Sequence, residues 1–301
     1  MALTEIAPAK INLALHVTGQ RDDGYHLLET VVTFSNAGDV VTVEAAPEDS
    51  FSMSGRFSQG LSREAGGTDG NLVLRARDAL REALAEEGLS APPVAIQLEK
   101  NLPVASGIGG GSADAAATLR ALLRHWHATP AAATLDRLAL KLGADIPMCM
   151  VGKPLMASGV GENIALLPGM PSFHCIIANP LQPVSTPQVF QRLTEKNNPS
   201  MGALPVLSDP ADWLAWLGSL RNDLEPPARL LQSRVAELSG LMKDTGAALV
   251  RMSGSGASCF ALYETEAEAS ESLERLTAAR PQWFFMQTRT VGMGETGDAR
   301  T

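Results

Sequence analysis

The chain has 301 residues, 45% of them hydrophobic, enough for one large domain or two moderate ones with full cores. A formal net charge of −9 argues against a general nucleic-acid binder, which relies on a broad basic surface, although a few local donors can still hold a small anion. No uncharged apolar run approaches the ~20 residues of a membrane span. The opening MALTEIAPAKINLAL lacks the basic start and apolar core of a signal peptide. Cys149, Cys175 and Cys259 form neither a C-x-x-C pair nor an even set, so a soluble cytoplasmic protein without disulfides or structural zinc is expected.

In chain order, residues 3–17 alternate apolar and polar and read as strands. RDDGYH at 21–26 is a turn, and 28–46 reads as two strands of a hairpin around Asn36–Asp39. Residues 47–70, rich in Ser, Gly and charge, read as an irregular excursion. Asn71 caps a helix to about Glu87 that Gly88 stops, and 93–103 is a strand. From Ser112 to about Trp126 the spacing is helical, with Ala115, Leu119, Leu122 and Trp126 on one face.

A second helix is expected from about Pro130 to Leu142, ended by Gly143, and ADIPMCMVGKP then reads as a loop and short strand. FHCIIANP at 173–180 is a strand, 194–212 a polar mobile connection, and the stretch from Asn222 to Gly246 contains one long helix. Residues 247–264 read as strand, glycine turn, strand, followed by a helix over EAEASESLERLTAA and the strand WFFMQTRTVG. The tail from Glu295 is polar and expected to be disordered. The excursion at 48–70 and the connection at 194–212 are long enough to serve as lids.

PVASGIGGGSADAAA at 103–117 carries the chemistry. Gly107, Gly109, Gly110 and Gly111 permit positive φ and close approach of a ligand to the main chain. The helix behind them offers free N–H groups and a partial positive charge, which together suit a phosphate. A tight strand-to-helix turn without a ligand is the plainer alternative. The stretch is not a Walker loop, because no Gly-Lys-Ser/Thr occurs, and the sixth position counted from Gly107 is Ser112, which breaks a dinucleotide fingerprint. The histidines at 16, 26, 125, 127 and 174 form no metal cluster in the sequence.

Together with PAKINLAL at 8–15, LGADIP at 142–147 and RMSGSGASCF at 251–260, this stretch resembles the motifs of the GHMP kinase superfamily of small-molecule kinases. DGYH at 23–26 and STPQVF at 185–190 are similar to the branch whose alcohol substrate carries a cytidine diphosphate. The resemblance runs to about Gly294. It implies an α+β fold of two domains, a ribosomal-protein-like ATP-binding domain over 1–168 and an α/β sandwich domain over 169–294, with the active site in the cleft between them. It also implies ATP and Mg²⁺ as cofactors, a small-molecule partner with a cytidine diphosphate group, neither nucleic acid nor membrane as partner, and a monomer or weak homodimer.

By this resemblance Pro103, Ala105, Ser106, Gly107, Gly109, Gly110, Gly111 and Ser112 hold the ATP phosphates, with Lys100 or Lys10 supplying positive charge. Asp145 is the general base, although a loop or capping role alone would explain an Asp there. Lys10 would keep that aspartate ionised and offset developing charge; on a bare strand it would be a solvated lysine. Tyr25 and His26 would stack on and hydrogen-bond cytosine, with Phe190 a second ring and Thr186 nearby, whereas without the resemblance Tyr25 simply packs its loop. Asn12, Gly254 and Ser255 complete the substrate contacts, although a tight turn alone explains the glycines of 253–258. Asp114 either suits the helix dipole or repels phosphate unless a cation intervenes, and stays outside the catalytic set. A homoserine, mevalonate or sugar kinase is the rival within the superfamily. An RNA-binding module and a dinucleotide oxidoreductase are rivals of other classes.

Overall fold

Strand β1 runs unbroken over Leu3–Gln20 and β2 over His26–Ala45. The computed structural model describes residues 2–59, 70–104, 106–204 and 206–294; Ala105, residues 60–69 of the expected excursion and the tail from Glu295 lie outside them. The described chain forms two compact units that interleave in sequence. Among the described residues, one comprises 2–9, 37–59, 70–104 and 109–151, and the other 10–36, 106–108, 152–204 and 206–294.

In the first unit, the Val40–Ala45 end of β2 pairs antiparallel with β4 (Val94–Glu99), and β3 (Ser50–Ser54) pairs parallel with β4. The alternation in β4 buries Val94, Ile96 and Leu98 and turns Gln97 and Glu99 outward, as a half-buried strand requires. Helix α1 (Leu72–Glu86) starts where the Asn71 side chain accepts the Val73 N–H at 2.9 Å, and it buries Val73, Ala76, Leu80 and Leu84 at helical spacing. Helix α2 (Gly110–His125) packs against α1 and α4 (Ile146–Val151), and α3 (Ala132–Leu142) lies against α1 and α4.

The second unit holds the Leu28–Val32 part of β2, paired with β5 (Leu155–Gly159), which forms a hairpin with β6 (Asn163–Leu166). Its other sheet is four-stranded and antiparallel, ordered β10-β7-β9-β8 from Phe284–Arg289, His174–Asn179, Cys259–Tyr263 and Leu249–Met252. Helices α5 (Thr186–Gln191), α6 (Pro210–Ser219), α7 (Glu225–Leu231), α8 (Ser233–Lys243) and α9 (Glu266–Ala279) complete it. Val235, Leu238, Met242, Ala269 and Leu276 from the last two of these share one core with Ile176, Cys259 and Tyr263. A capping box at Thr265 and Glu268 starts α9.

Four expectations are corrected. The hairpin expected at 28–46 is one continuous strand, because Gly38 serves close backbone approach rather than a turn: a Cβ there would sit 2.0 Å from the Ala7 carbonyl oxygen. The loop and strand expected after Ala144 begin instead as α4, whose Cys149 carbonyl accepts the Arg120 guanidinium at 2.9 Å. The long helix expected within 222–246 is interrupted at Gln232, which is extended (φ −141°) and whose side chain accepts the Arg234 N–H to cap α8. In addition, the connection expected to reach residue 212 gives way to α6 at Pro210, capped by Asp209.

Candidate active site

In the first unit, the end of the glycine stretch leads into α2. Gly109 is left-handed (φ +65°) at the N-cap, and Gly110 and Gly111 open the helix with no side chains over its free N–H groups. Ser112 follows half-buried in the first turn, and Pro103 is buried at the entrance to the stretch. Ala105 lies outside the described residues.

Beside this helix start, the buried Lys100 ammonium is held between the Asp39 and Asp114 carboxylates, at 2.7 Å from the latter. Asp39 also accepts the N–H groups of Asn101 at 2.5 Å and Leu102 at 2.8 Å. Burial alone would lower the Lys100 pKa, and the two carboxylates outweigh it and raise it. Burial pushes the Asp114 carboxyl up to about 8, against the pull of Lys100 and with the help of negative Asp39. Lys100 is therefore committed to carboxylates. Sequence reasoning missed Asp39 because its glycine neighbour reads as a turn.

Asp145 sits between α3 and α4, half-buried, and its carbonyl accepts the Cys149 N–H at 3.1 Å, the bond that starts α4. Among the described residues, no group of three or more His, Cys, Asp or Glu is placed to hold a metal ion.

In the second unit, the motif around Lys10, the 106–108 segment and the 253–258 turn meet. Lys10 is buried on β1, its N–H donating to the Ile108 carbonyl at 2.9 Å. Asn12, two positions on and so on the same face of the strand, is also buried. Its amide orientation is fixed: Thr30 donates its hydroxyl proton to the Ala14 carbonyl and so accepts from Asn12 Nδ2 at 2.8 Å. Asn12 Oδ1 is left buried without a hydrogen-bond partner, 3.4 Å from where a Cβ on Gly254 would stand. Thr186 at the head of α5 shares a hydrogen bond of 2.7 Å with the Ser255 hydroxyl.

The His26 and Phe190 rings stack with centroids 4.7 Å apart and planes at 27°. His26 Nε2 is buried without a partner, and burial followed by the Lys196 charge lowers its pKa, so the imidazole is held neutral. Tyr25, next in the chain, is 66% exposed, so the ring paired with Phe190 is the histidine. A flat ring pair with an unsatisfied ring nitrogen is suited to a heteroaromatic base.

The GHMP kinases N terminal domain profile matches residues 71–153 and the GHMP kinases C terminal profile matches residues 203–282. The chain is 57% identical over 291 residues to a 4-diphosphocytidyl-2-C-methyl-D-erythritol kinase of Sinorhizobium medicae, covering 97% of this chain and 96% of that one. The chain belongs to the 4-diphosphocytidyl-2-C-methyl-D-erythritol kinase family of GHMP kinases. A relative of the same name from Agrobacterium fabrum is 55% identical over 95% of this chain and 96% of its own. A crystal structure of a 4-(cytidine 5'-diphospho)-2C-methyl-D-erythritol kinase matches with a TM-score of 0.75 at 32% identity, covering 96% of this chain and 99% of that one. A homoserine kinase from Cytophaga hutchinsonii shares the fold at a TM-score of 0.69 and 19% identity, over 97% and 95% of the two chains. The two-domain α+β GHMP kinase architecture expected from the motifs is thus the family's, and no helix among the described residues is long and apolar enough to cross a membrane.

Proposed function

We propose that the chain transfers the γ-phosphate of ATP to the 2-hydroxyl of 4-diphosphocytidyl-2-C-methyl-D-erythritol, giving the 2-phosphate and ADP in the non-mevalonate route to isoprenoid precursors. The near full-length identity to kinases of that name carries this reading. The stacked His26–Phe190 pair favours it over a homoserine, mevalonate or sugar kinase, whose substrates carry no base to stack. We place the enzyme in the cytoplasm, in keeping with an odd count of three cysteines, all of them buried.

The chain's own groups divide the work. The open N-terminus of α2 and the glycines before it receive the triphosphate through main-chain N–H groups, joined by Ser106 and Ser112. Asp145 takes the proton from the 2-hydroxyl as its oxygen attacks the γ-phosphorus and the bond to the β-phosphate oxygen breaks. Lys10 offsets the charge that gathers on the transferred group. Asn12 Oδ1 accepts from the substrate, and His26, Phe190, Tyr25 and Thr186 receive the cytidine end, with Gly254 and Ser255 supplying the turn beside it. Mg²⁺ accompanies ATP and neutralises phosphate charge when bound. Asp114, early in α2, is held by Lys100, and the Ser112 hydroxyl in the first turn would be a ligand for the metal.

Asp145→Asn tests the assignment. It should lower kcat by about two to four orders of magnitude, with the KM for either substrate changed by less than about threefold. Turnover near that of the parent enzyme removes Asp145 from the mechanism.

A further inference from the structure

Beyond the groups assigned above, one serine hydroxyl joins the three sequence motifs of the second unit. Ser253 Oγ accepts the Asn12 N–H at 3.0 Å and donates to the Gly107 carbonyl at 3.0 Å. The residue is 1% exposed, so both bonds are made away from water. Around it the 106–108 segment is laced on both sides: Lys10 N–H donates to Ile108 O at 2.9 Å, and Ser258 N–H donates to Ser106 O at 3.0 Å. Gly107, at φ +77°, has no room for a side chain, since a Cβ would stand 2.6 Å from the Ser253 carbonyl oxygen and 2.7 Å from that of Gly256. The backbone spacing here is set by direct contact, and the serine hydroxyl fixes its register.

The turn that presents Ser253 is itself held from behind. Asn222 lies beside β1, where Leu15 N–H donates to Arg221 O at 2.9 Å and Asp223 N–H donates to Leu15 O at 2.8 Å. Its side-chain amide donates to the carbonyls of Met252 and Gly254, both at 2.8 Å, and its Oδ1 accepts the Leu224 N–H at 2.9 Å. Both amide hydrogens thus pin the residues on either side of Ser253, while the amide oxygen is tied to Leu224 in its own loop.

We infer that Ser253 is a positioning residue for phosphoryl transfer, with Asn222 as its support: the hydroxyl sets Lys10 and Asn12 in register with the glycine segment that precedes α2. The inference rests on the kinase reading. Phosphoryl transfer depends mainly on positioning, and a displacement of about 1 Å can cost about a hundredfold in rate. Neither residue needs to touch a substrate for this. The effect should therefore fall on kcat rather than on binding.

The test compares Ser253→Ala, Ser253→Thr and Asn222→Asp with the parent enzyme in steady-state kinetics for both substrates, beside thermal unfolding. Val235→Ala, a cavity in the α8 core of the same unit, serves as the control for lost stability alone. Turnover by the parent enzyme checks the kinase reading separately. Ser253→Ala is expected to lower kcat at least about tenfold, with both KM values within about threefold, beyond any change in Val235→Ala at equal loss of melting temperature. Ser253→Thr, which keeps the hydroxyl, should recover most of the rate. Asn222→Asp, which keeps the shape but sets a carboxylate against two carbonyls, should repeat the kcat loss and decides the matter if Ser253→Ala does not fold. A parent enzyme that turns over beside Ser253→Ala and Asn222→Asp variants with kcat within threefold, or with losses matched by Val235→Ala, overturns the inference.

Discussion

Replacing Lys100 by Met removes the cation at the centre of a buried cluster. The side chains of Lys100, Asp39 and Asp114 are each no more than 3% exposed, so water cannot replace the lost ammonium. Breaking a buried ion pair from one side typically costs about 3–5 kcal/mol. Two features put this site near the lower end. Asp39 keeps the N–H groups of Asn101 and Leu102, and Asp114, already pushed up to about 8 by burial, can hold a proton at neutral pH. A loss of about 3 kcal/mol is a large share of the ~5–15 kcal/mol that holds a domain folded. Urea unfolding at pH 7 reads it as a lower midpoint at unchanged slope. Adding Asp114→Asn should return at least about 1 kcal/mol, because one buried acid then needs neither a cation nor a proton. A loss below about 1 kcal/mol for Lys100→Met, or no coupling with Asp114→Asn, would refute the claim that the ammonium holds the two carboxylates.

Phe190→Ala removes the ring stacked on His26 and, at about 1–3 kcal/mol per stacked base, should raise the KM for a cytidylated substrate between about fivefold and a hundredfold while the KM for ATP stays within threefold; equal changes in both would show a general structural fault instead. His16 is buried and neutral, its Nδ1 donating to Pro199 O at 3.2 Å and its Nε2 accepting the Arg221 N–H at 3.3 Å, with burial and then the Arg221 charge lowering its pKa from 6.5. The folded state thus binds fewer protons than the unfolded chain just below pH 6.5, and stability drops as pH falls through that window. His16→Gln should flatten this part of the curve, measured by urea unfolding between about pH 7.5 and 5.5; an unchanged slope would show that His16 does not contribute.

Elements whose signals are local were legible in the sequence. Asn71 and Gly88 bracket α1, the alternation of 93–103 gives β4, and the four glycines ahead of Ser112 lead into α2. What escaped reading depends on partners distant in the chain. Gly38 and Asp39 carry the residue types of a turn, yet Gly38 admits the Ala7 carbonyl and Asp39 anchors Lys100, so tertiary contact keeps β2 unbroken. Gln232 breaks a continuous helical pattern with neither Gly nor Pro, using a side chain that seldom caps. At the candidate site the motifs carried Lys10, Asn12, Gly107 and Gly254, and the resemblance drew attention to His26 and Phe190. Ser253 lay within a quoted motif, but its two partners stand 241 and 146 residues away in sequence. Asn222 sits in a polar stretch with no signal of its own, because an asparagine that binds distant carbonyls looks like any surface asparagine.

The most direct test of the central claim is ATP consumption by the purified protein with Mg²⁺ and 4-diphosphocytidyl-2-C-methyl-D-erythritol, run beside the same alcohol without its cytidyl group. Turnover of the cytidylated compound alone, with the new phosphate on the 2-hydroxyl by phosphorus NMR, is the expected result. Equal turnover of both alcohols would contradict the role given to His26 and Phe190, and turnover of neither would contradict the proposed reaction itself.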